Sequence, residues 1–231
     1  MESGAGPDPE HPFSSPNAED RPRIAVLLSG AGRTLANIIR GIDEGALAAE
    51  IVAVVSSKPG VGGLDIAADA GIPARTIERR AFADDDGFSD AVYAALAPFA
   101  PDMIVMAGFL RKLLVRPDWD GRIVNIHPAL LPESAAAGKG FYGERVHVAV
   151  LASGATETGA TVHIVDNQYD AGPAVERLVV PVLPHDTPES LAARVFAAEC
   201  ELYPGAIQRY WSANRHLFPM TDVSEPGAEC R

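Results

Sequence analysis

Cysteine is almost absent from this 231-residue chain, which carries only Cys200 and Cys230. One falls in an expected helix and the other in the C-terminal tail. They make no disulfide framework, no Cys-x-x-Cys pair and no zinc-ligand spacing. Such sparing use suits a reducing cytosol. No apolar run reaches the ~20 residues a membrane helix needs. No basic start followed by an apolar stretch marks a signal peptide, so a cytoplasmic protein is expected. Positive charge is also scarce: 19 Lys and Arg stand against 31 Asp and Glu, a formal net charge of −12. An acidic surface argues against phosphate-backbone binding as the main task. A local basic pocket for one small anion remains compatible with it. Small-molecule partners are expected rather than nucleic acid or membrane, in a monomer or homodimer.

What is present is an ordinary globular composition. A chain that is 47% hydrophobic and 22% charged can bury a core without staples. Residues 1–21 are rich in Pro, Gly, Ser and acids and are expected to be disordered, as is the C-terminal tail, 216–231. Between them, 22–215 read as one domain. The run Arg23 to Leu28 (RIAVLL) reads as a strand, followed by strands over 51–55, 73–77, 102–106 and 122–126. Helical patterns lie between them over 34–42, 64–70 and 88–99. Continuous rather than alternating apolar runs mean burial on both faces, as in a parallel sheet covered by helices. Strand-helix alternation gives a doubly wound α/β architecture. Beyond it a helix is predicted over 146–152, then two adjacent antiparallel strands over 161–165 and 174–182. A long helix over 188–211 closes the domain, capped by Thr187.

Three segments carry chemistry. The first strand runs into Ser29-Gly30-Ala31-Gly32-Arg33-Thr34 and then a helix. Backbone N–H groups at such a helix start hold an anion. Leu35 replaces the third glycine of a dinucleotide fingerprint and no acid closes the second strand, so a single phosphate fits better than a dinucleotide. Alone, the turn is also readable as a plain strand-to-helix connection. Asn125-Ile126-His127-Pro128 closes a buried strand. Residues two apart on a strand share a face, so an amide and an imidazole stand side by side. An amide N–H binds a developing oxyanion and a histidine moves a proton or stabilises charge. The third segment runs from His163 through Asp166 to Asp170, Gly172 and Pro173. Acids in turns often bond only their own backbone.

Taken together, Ser-Gly-x-Gly after the first strand, Ala107-Gly108-Phe109-Leu110-Arg111, Asn125-Ile126-His127-Pro128-x-Leu-Leu-Pro and His163-x₂-Asp166-x₃-Asp170-x-Gly-Pro resemble the phosphoribosylglycinamide formyltransferases, a folate-dependent formyltransferase family. The likeness covers roughly residues 23–211. It implies a Rossmann-like fold and transfer of a formyl group from 10-formyltetrahydrofolate, as co-substrate, to the amine of glycinamide ribonucleotide in purine synthesis, without a metal. By that likeness Asn125, His127 and Asp170 are the catalytic trio. Gly32, Arg33 and Thr34 form the substrate-phosphate turn, and Glu199 is a substrate-contacting acid. Leu110, Arg111, Lys112 and Leu113 hold the folate, with Asn125, Val165 and Asp166 lining the same pocket. Asn125 then donates to the formyl oxygen, and His127, kept cationic by Asp170, stabilises the charge. Asp170 accepts the amine proton, and no covalent enzyme intermediate is formed.

The chain departs from the family in places. Its turn reads Gly-Arg-Thr where many members have Gly-Ser-Asn. Asp85 stands near where many have a folate-contacting arginine, and Phe196 stands one turn before Glu199 in place of a polar side chain. The stretch 133–143 is long, and its Lys139 is expected to be a solvated lysine. Two relatives of the same core remain alternatives, a deformylase that hydrolyses the formyl group and a methionyl-tRNA formyltransferase. The first usually carries an extra N-terminal domain and the second a C-terminal tRNA-binding domain. A non-catalytic nucleotide-binding module is the reading of a different class.

Overall fold

The structure, a computed structural model, describes residues 21–132, 134, 138 and 140–218. The expectations for the two tails and for Lys139 concern residues that lie, but for Arg21 and 216–218, outside those described.

The chain order is β1 (Arg23–Leu28), α1 (Arg33–Asp43), β2 (Glu50–Ser56), α2 (Gly62–Asp69), β3 (Ala74–Thr76), α3 (Asp85–Leu96), β4 (Met103–Met106), β5 (Ile123–His127), α4 (Glu144–Ala152), β6 (Glu157–Ile164), β7 (Ala174–Pro181) and α5 (Pro188–Ala213). The strands form one seven-stranded sheet in the order β3-β2-β1-β4-β5-β6-β7. The first five are mutually parallel; β6 and β7 are antiparallel to their neighbours. The doubly wound sheet with antiparallel C-terminal strands and a long last helix is therefore as the sequence pattern implies.

The apolar runs are continuous because both faces of the central strands are covered. Ile24, Val26 and Leu28 pack with Leu35 and Ile38 of α1, Ala67 of α2 and Tyr203 and Ile207 of α5. Ala25 and Leu27 point the other way, onto Phe88, Val92 and Leu96 of α3. Each fully buried leucine or isoleucine contributes about 1.5–3 kcal/mol relative to exposure. A smaller cluster joins α4 to the start of α5 through Val146, Val150, Leu191 and Val195. Packing continues past 215, because Phe218 is buried with its ring 4.4 Å from that of Trp211.

Three of the boundaries that differ from those read in the sequence have a local reason. β6 starts at Glu157 rather than at 161. A side chain at Gly159 would run into the Leu178 carbonyl, so the close approach of β7 needs a glycine there. α3 starts at Asp85 because the Asp84 carboxylate accepts the Gly87 N–H at 2.9 Å and caps it. Its C-terminal end tightens into a 3₁₀ turn over Ala97–Phe99.

From β1 the chain winds outward through β2 and β3, then returns to β4 and β5 on the other side. Order reverses between β1 and β4, and in such sheets the crevice beyond the strand ends at that point is where ligands bind. Among the described residues no helix is long and apolar enough to cross a membrane.

Candidate active site

The turn after β1 is fixed by its glycines. Gly32 sits at φ 79° and caps α1, and a Cβ on it would lie 2.5 Å from the Gly63 Cα. The start of α2 is therefore packed directly on the turn, tied by a 3.1 Å bond from the Gly63 N–H to the Gly30 carbonyl. Among the described residues no side chain caps α1, so the first amides of the helix, at Arg33 and Thr34, have the free donors of a helix start.

Ser29 is structural. Its hydroxyl lies 2.6 Å from that of Ser57 and accepts the Leu110 N–H at 2.9 Å. This clamps the loop after β4 against the end of β1. It also commits the Leu110 N–H internally. Leu113 turns its side chain into the α3 core.

The Asn125, His127 and Asp170 side chains converge beyond β5. Asn125 pairs across the sheet with His163, and the Asn125 amide nitrogen lies 3.1 Å from His163 Nε2. His163 Nδ1 lies 3.0 Å from the Ile164 carbonyl oxygen, which only accepts. Burial, the largest influence, lowers the His163 pKa below the usual imidazole range, so the ring is neutral at pH 7. Its one proton must therefore be on Nδ1, Nε2 must accept, and the Asn125 group facing it must be the N–H₂. That fixes the orientation of the Asn125 amide and leaves its second N–H for a substrate oxygen.

Asp170 lies between two imidazoles. Its Oδ1 is 3.6 Å from His127 Nδ1 and 3.8 Å from His163 Nε2. Its Oδ2 accepts the Gly138 N–H at 3.0 Å. The residue holds a left-handed φ of 53°, the sparsely populated backbone that functional positions often retain. Asp166, by contrast, does what turn acids usually do, accepting the Gln168 N–H at 2.8 Å. The loop after His127 is pinned by Thr161, whose hydroxyl donates to the Ala129 carbonyl and accepts the Leu131 N–H.

These groups line one cavity of about 1010 Å³, at the upper end of the ~300–1,000 Å³ of small-molecule sites. The residues that the family likeness assigns to the site line it: Gly32, Arg33, Thr34, the 110–113 segment, Asn125, His127, Val165, Asp166, Asp170 and Glu199. Asp85 does not; its carboxylate takes the Arg79 Nε–H at 2.6 Å at the start of α3. At the α1 end of the cavity the Arg33 guanidinium lies over the Phe196 ring, 4.2 Å from its centroid. Burial raises the Glu199 carboxyl to about 7, against the opposing charge of Arg33.

Two lining histidines escaped the sequence reading. His163 stood inside a quoted motif without a role, and its partner Asn125 is distant in the chain. His147 of α4 is 4% exposed, and its Nδ1 meets no hydrogen-bond partner among the described residues. Burial first, and the charge of His127 second, lower its pKa. A histidine on a helix that also buries Val146 and Val150 reads as core; only the fold shows that it faces the cavity.

A family model described as formyl transferase matches residues 22–207. The chain is 41% identical over 189 residues to a Bos taurus protein named trifunctional purine biosynthetic protein adenosine-3, covering 80% of this chain and 18% of that one. It is 37% identical to a chloroplastic phosphoribosylglycinamide formyltransferase of Vigna unguiculata, covering 89% of this chain and 66% of the other. The chain thus spans less than two thirds of the length of both. Among solved structures, the phosphoribosylglycinamide formyltransferase of Brucella melitensis superposes with a TM-score of 0.73 and 42% identity, over 82% of this chain and 95% of that one.

Proposed function

The chain belongs to the formyl transferase family, and from that premise we propose that it moves the formyl group of 10-formyltetrahydrofolate onto the amine of glycinamide ribonucleotide. The observation that carries the reading is the convergence of Asn125, His127 and Asp170 in a cavity roomy enough for two ligands. One end of that cavity offers helix-start amides and a guanidinium, suited to a phosphate. The other is lined by the 110–113 backbone and Val165, suited to a flat ring.

In the proposed reaction the amine attacks the formyl carbon directly. Negative charge gathers on the formyl oxygen, where Asn125 donates the N–H that His163 leaves free. His127 supplies a second donor, with Asp170 Oδ1 3.6 Å from its Nδ1. Such contacts commonly tighten when substrate binds. The bond from the formyl carbon to the folate nitrogen breaks, and the proton lost by the amine passes through Asp170 to that nitrogen. No nucleophilic side chain is required, and Ser29 is occupied by Ser57 and Leu110. The two cysteines of the whole chain fit a reducing, cytoplasmic setting.

The test is the absorbance change of the folate with and without glycinamide ribonucleotide. Product is expected only when the ribonucleotide is present. Equal product formation in water alone would move the assignment to the deformylase.

A further inference from the structure

We propose that Phe196 is a positioning residue for phosphate recognition, holding the Arg33 guanidinium by its face so that the N–H groups in its plane are presented to a phosphate monoester. This rests on the reading that the turn after β1 takes the substrate phosphate. It adds a residue from the far end of the chain and a reason for two departures from the family at once, Arg33 in the turn and Phe196 in α5.

A cation is out of place where Arg33 stands. It is the first residue of α1, and its first turn holds no acid. The positive end of the helix dipole disfavours a cation there and favours an anion. Arg33 therefore opposes the stability of its own helix, and the conflict is relieved when an anion binds between them. Nor is the charge cancelled within the protein. Among the described residues no carboxylate lies within ion-pair distance of Arg33, and no acceptor takes its N–H groups; its one close partner is the Phe196 ring, 4.2 Å away. Glu199 is near enough to feel the charge without forming an ion pair.

Stacking decides what the guanidinium offers. Arg carries five N–H donors in one plane, in a fork that matches phosphate oxygens. An aromatic ring against the face of that plane leaves all five at the edge. A polar side chain at position 196 would instead take some of them. An exposed arginine without the stack samples many rotamers, and fixing one beforehand lowers what binding must order. Phe196 lines the same cavity as Gly32 and Thr34, so the held fork stands beside the helix-start amides.

The experiment is calorimetric binding of ribose 5-phosphate to the full chain, comparing the parent with Phe196→Leu, Phe196→Tyr, Arg33→Ala and the double variant Arg33→Ala/Phe196→Leu. A cation–π contact at an exposed site corresponds to roughly two- to fivefold in affinity, so Phe196→Leu should weaken binding by about that factor. Phe196→Tyr, which keeps the ring, should bind like the parent. Loss of a charge-assisted hydrogen bond in Arg33→Ala should cost roughly tenfold or more. In the Arg33→Ala background the Phe196→Leu change should have no further effect. In turnover the loss should fall on KM for the ribonucleotide and not on KM for the folate. Unchanged affinity in Phe196→Leu, or an equal weakening with and without Arg33, overturns the proposal. Formyl transfer without this coupling removes the role of Phe196 alone; the coupling without formyl transfer removes the reaction assignment and leaves the phosphate arm standing.

Discussion

One carboxylate stands between two imidazoles in this site: Asp170 Oδ1 is 3.6 Å from His127 and 3.8 Å from His163. Replacing it by Asn keeps the shape and removes both the proton acceptor and the counter-charge of His127. General acid-base groups contribute about 10²–10⁴-fold, and kcat of Asp170→Asn should fall within that range with folding intact. A kcat within about threefold of the parent, with both ligands saturating, would remove Asp170 from the chemistry. Glu199 makes a different prediction. Its folded carboxyl keeps a proton up to about 7, against an ordinary value of 4.5. Between those values the folded state binds more protons than the unfolded one, so this group's contribution to stability falls as pH rises through that window. Glu199→Gln should gain stability over the parent on going from about pH 5 to about pH 8, by on the order of 2–3 kcal/mol. Denaturant midpoints at the two values check it, and a gap independent of pH would mean the carboxylate is well solvated. At this scale the sequence disclosed Asn125, His127 and Asp170 because amide, imidazole and acid recur at a family spacing. It did not disclose His163 or His147, whose places in the cavity are set by pairing across the sheet and by the packing of α4. Nor did it pair Arg33 with Phe196, since a ring contact between distant segments has no local signature.

Strand β1 and helix α1 are joined by a turn that admits only glycine at one position. Gly32 combines a φ of 79° with a neighbour 2.5 Å from where a Cβ would be. Left-handed backbone alone costs an L residue roughly 1–2 kcal/mol, and here α2 must also move. Gly32→Ala should lower the thermal midpoint and weaken ribose 5-phosphate binding together; a fully stable variant with lost binding would show that the turn yields without α2. At the other end of the domain, Thr187 and Ser190 form a reciprocal cap on α5. Thr187→Ala should cost about 1 kcal/mol, read from chemical denaturation, with little change in activity because the cap lies outside the trio. Elements were legible where apolar runs are long and end in Gly or Pro: β1 matches its expected bounds residue for residue. β6 begins at Glu157, ahead of the expected start at 161, because its first residues, Glu-Thr-Gly-Ala, carry no apolar run to mark a strand. Helix α5 keeps Pro204 in its interior, and Gly41 of α1 gives that ring room, since a Cβ there would lie 2.7 Å from Pro204.

Over the whole molecule the cavity belongs to no single element. Its walls come from the loops after β1, β4 and β5, the 165–173 loop, α4 and α5. These segments rest on three packed clusters that cover both faces of the sheet and the α4–α5 contact. Loss of activity on heating should therefore coincide with loss of tertiary structure in one cooperative transition. Activity lost well below the near-ultraviolet circular dichroism transition would show that a local segment opens first. The net charge of −12 coexists with a local group of cations: Arg33, Arg111, Lys112 and Arg145 all line the cavity. The most direct measurement is of where the one carbon goes. Folate carrying a ¹³C-formyl group should be mixed with enzyme and glycinamide ribonucleotide and followed by NMR. The signal should pass from the folate to an amide of the ribonucleotide, one for one, with no free formate. Labelled formate forming at the same rate whether or not the ribonucleotide is present would contradict formyl transfer to the amine.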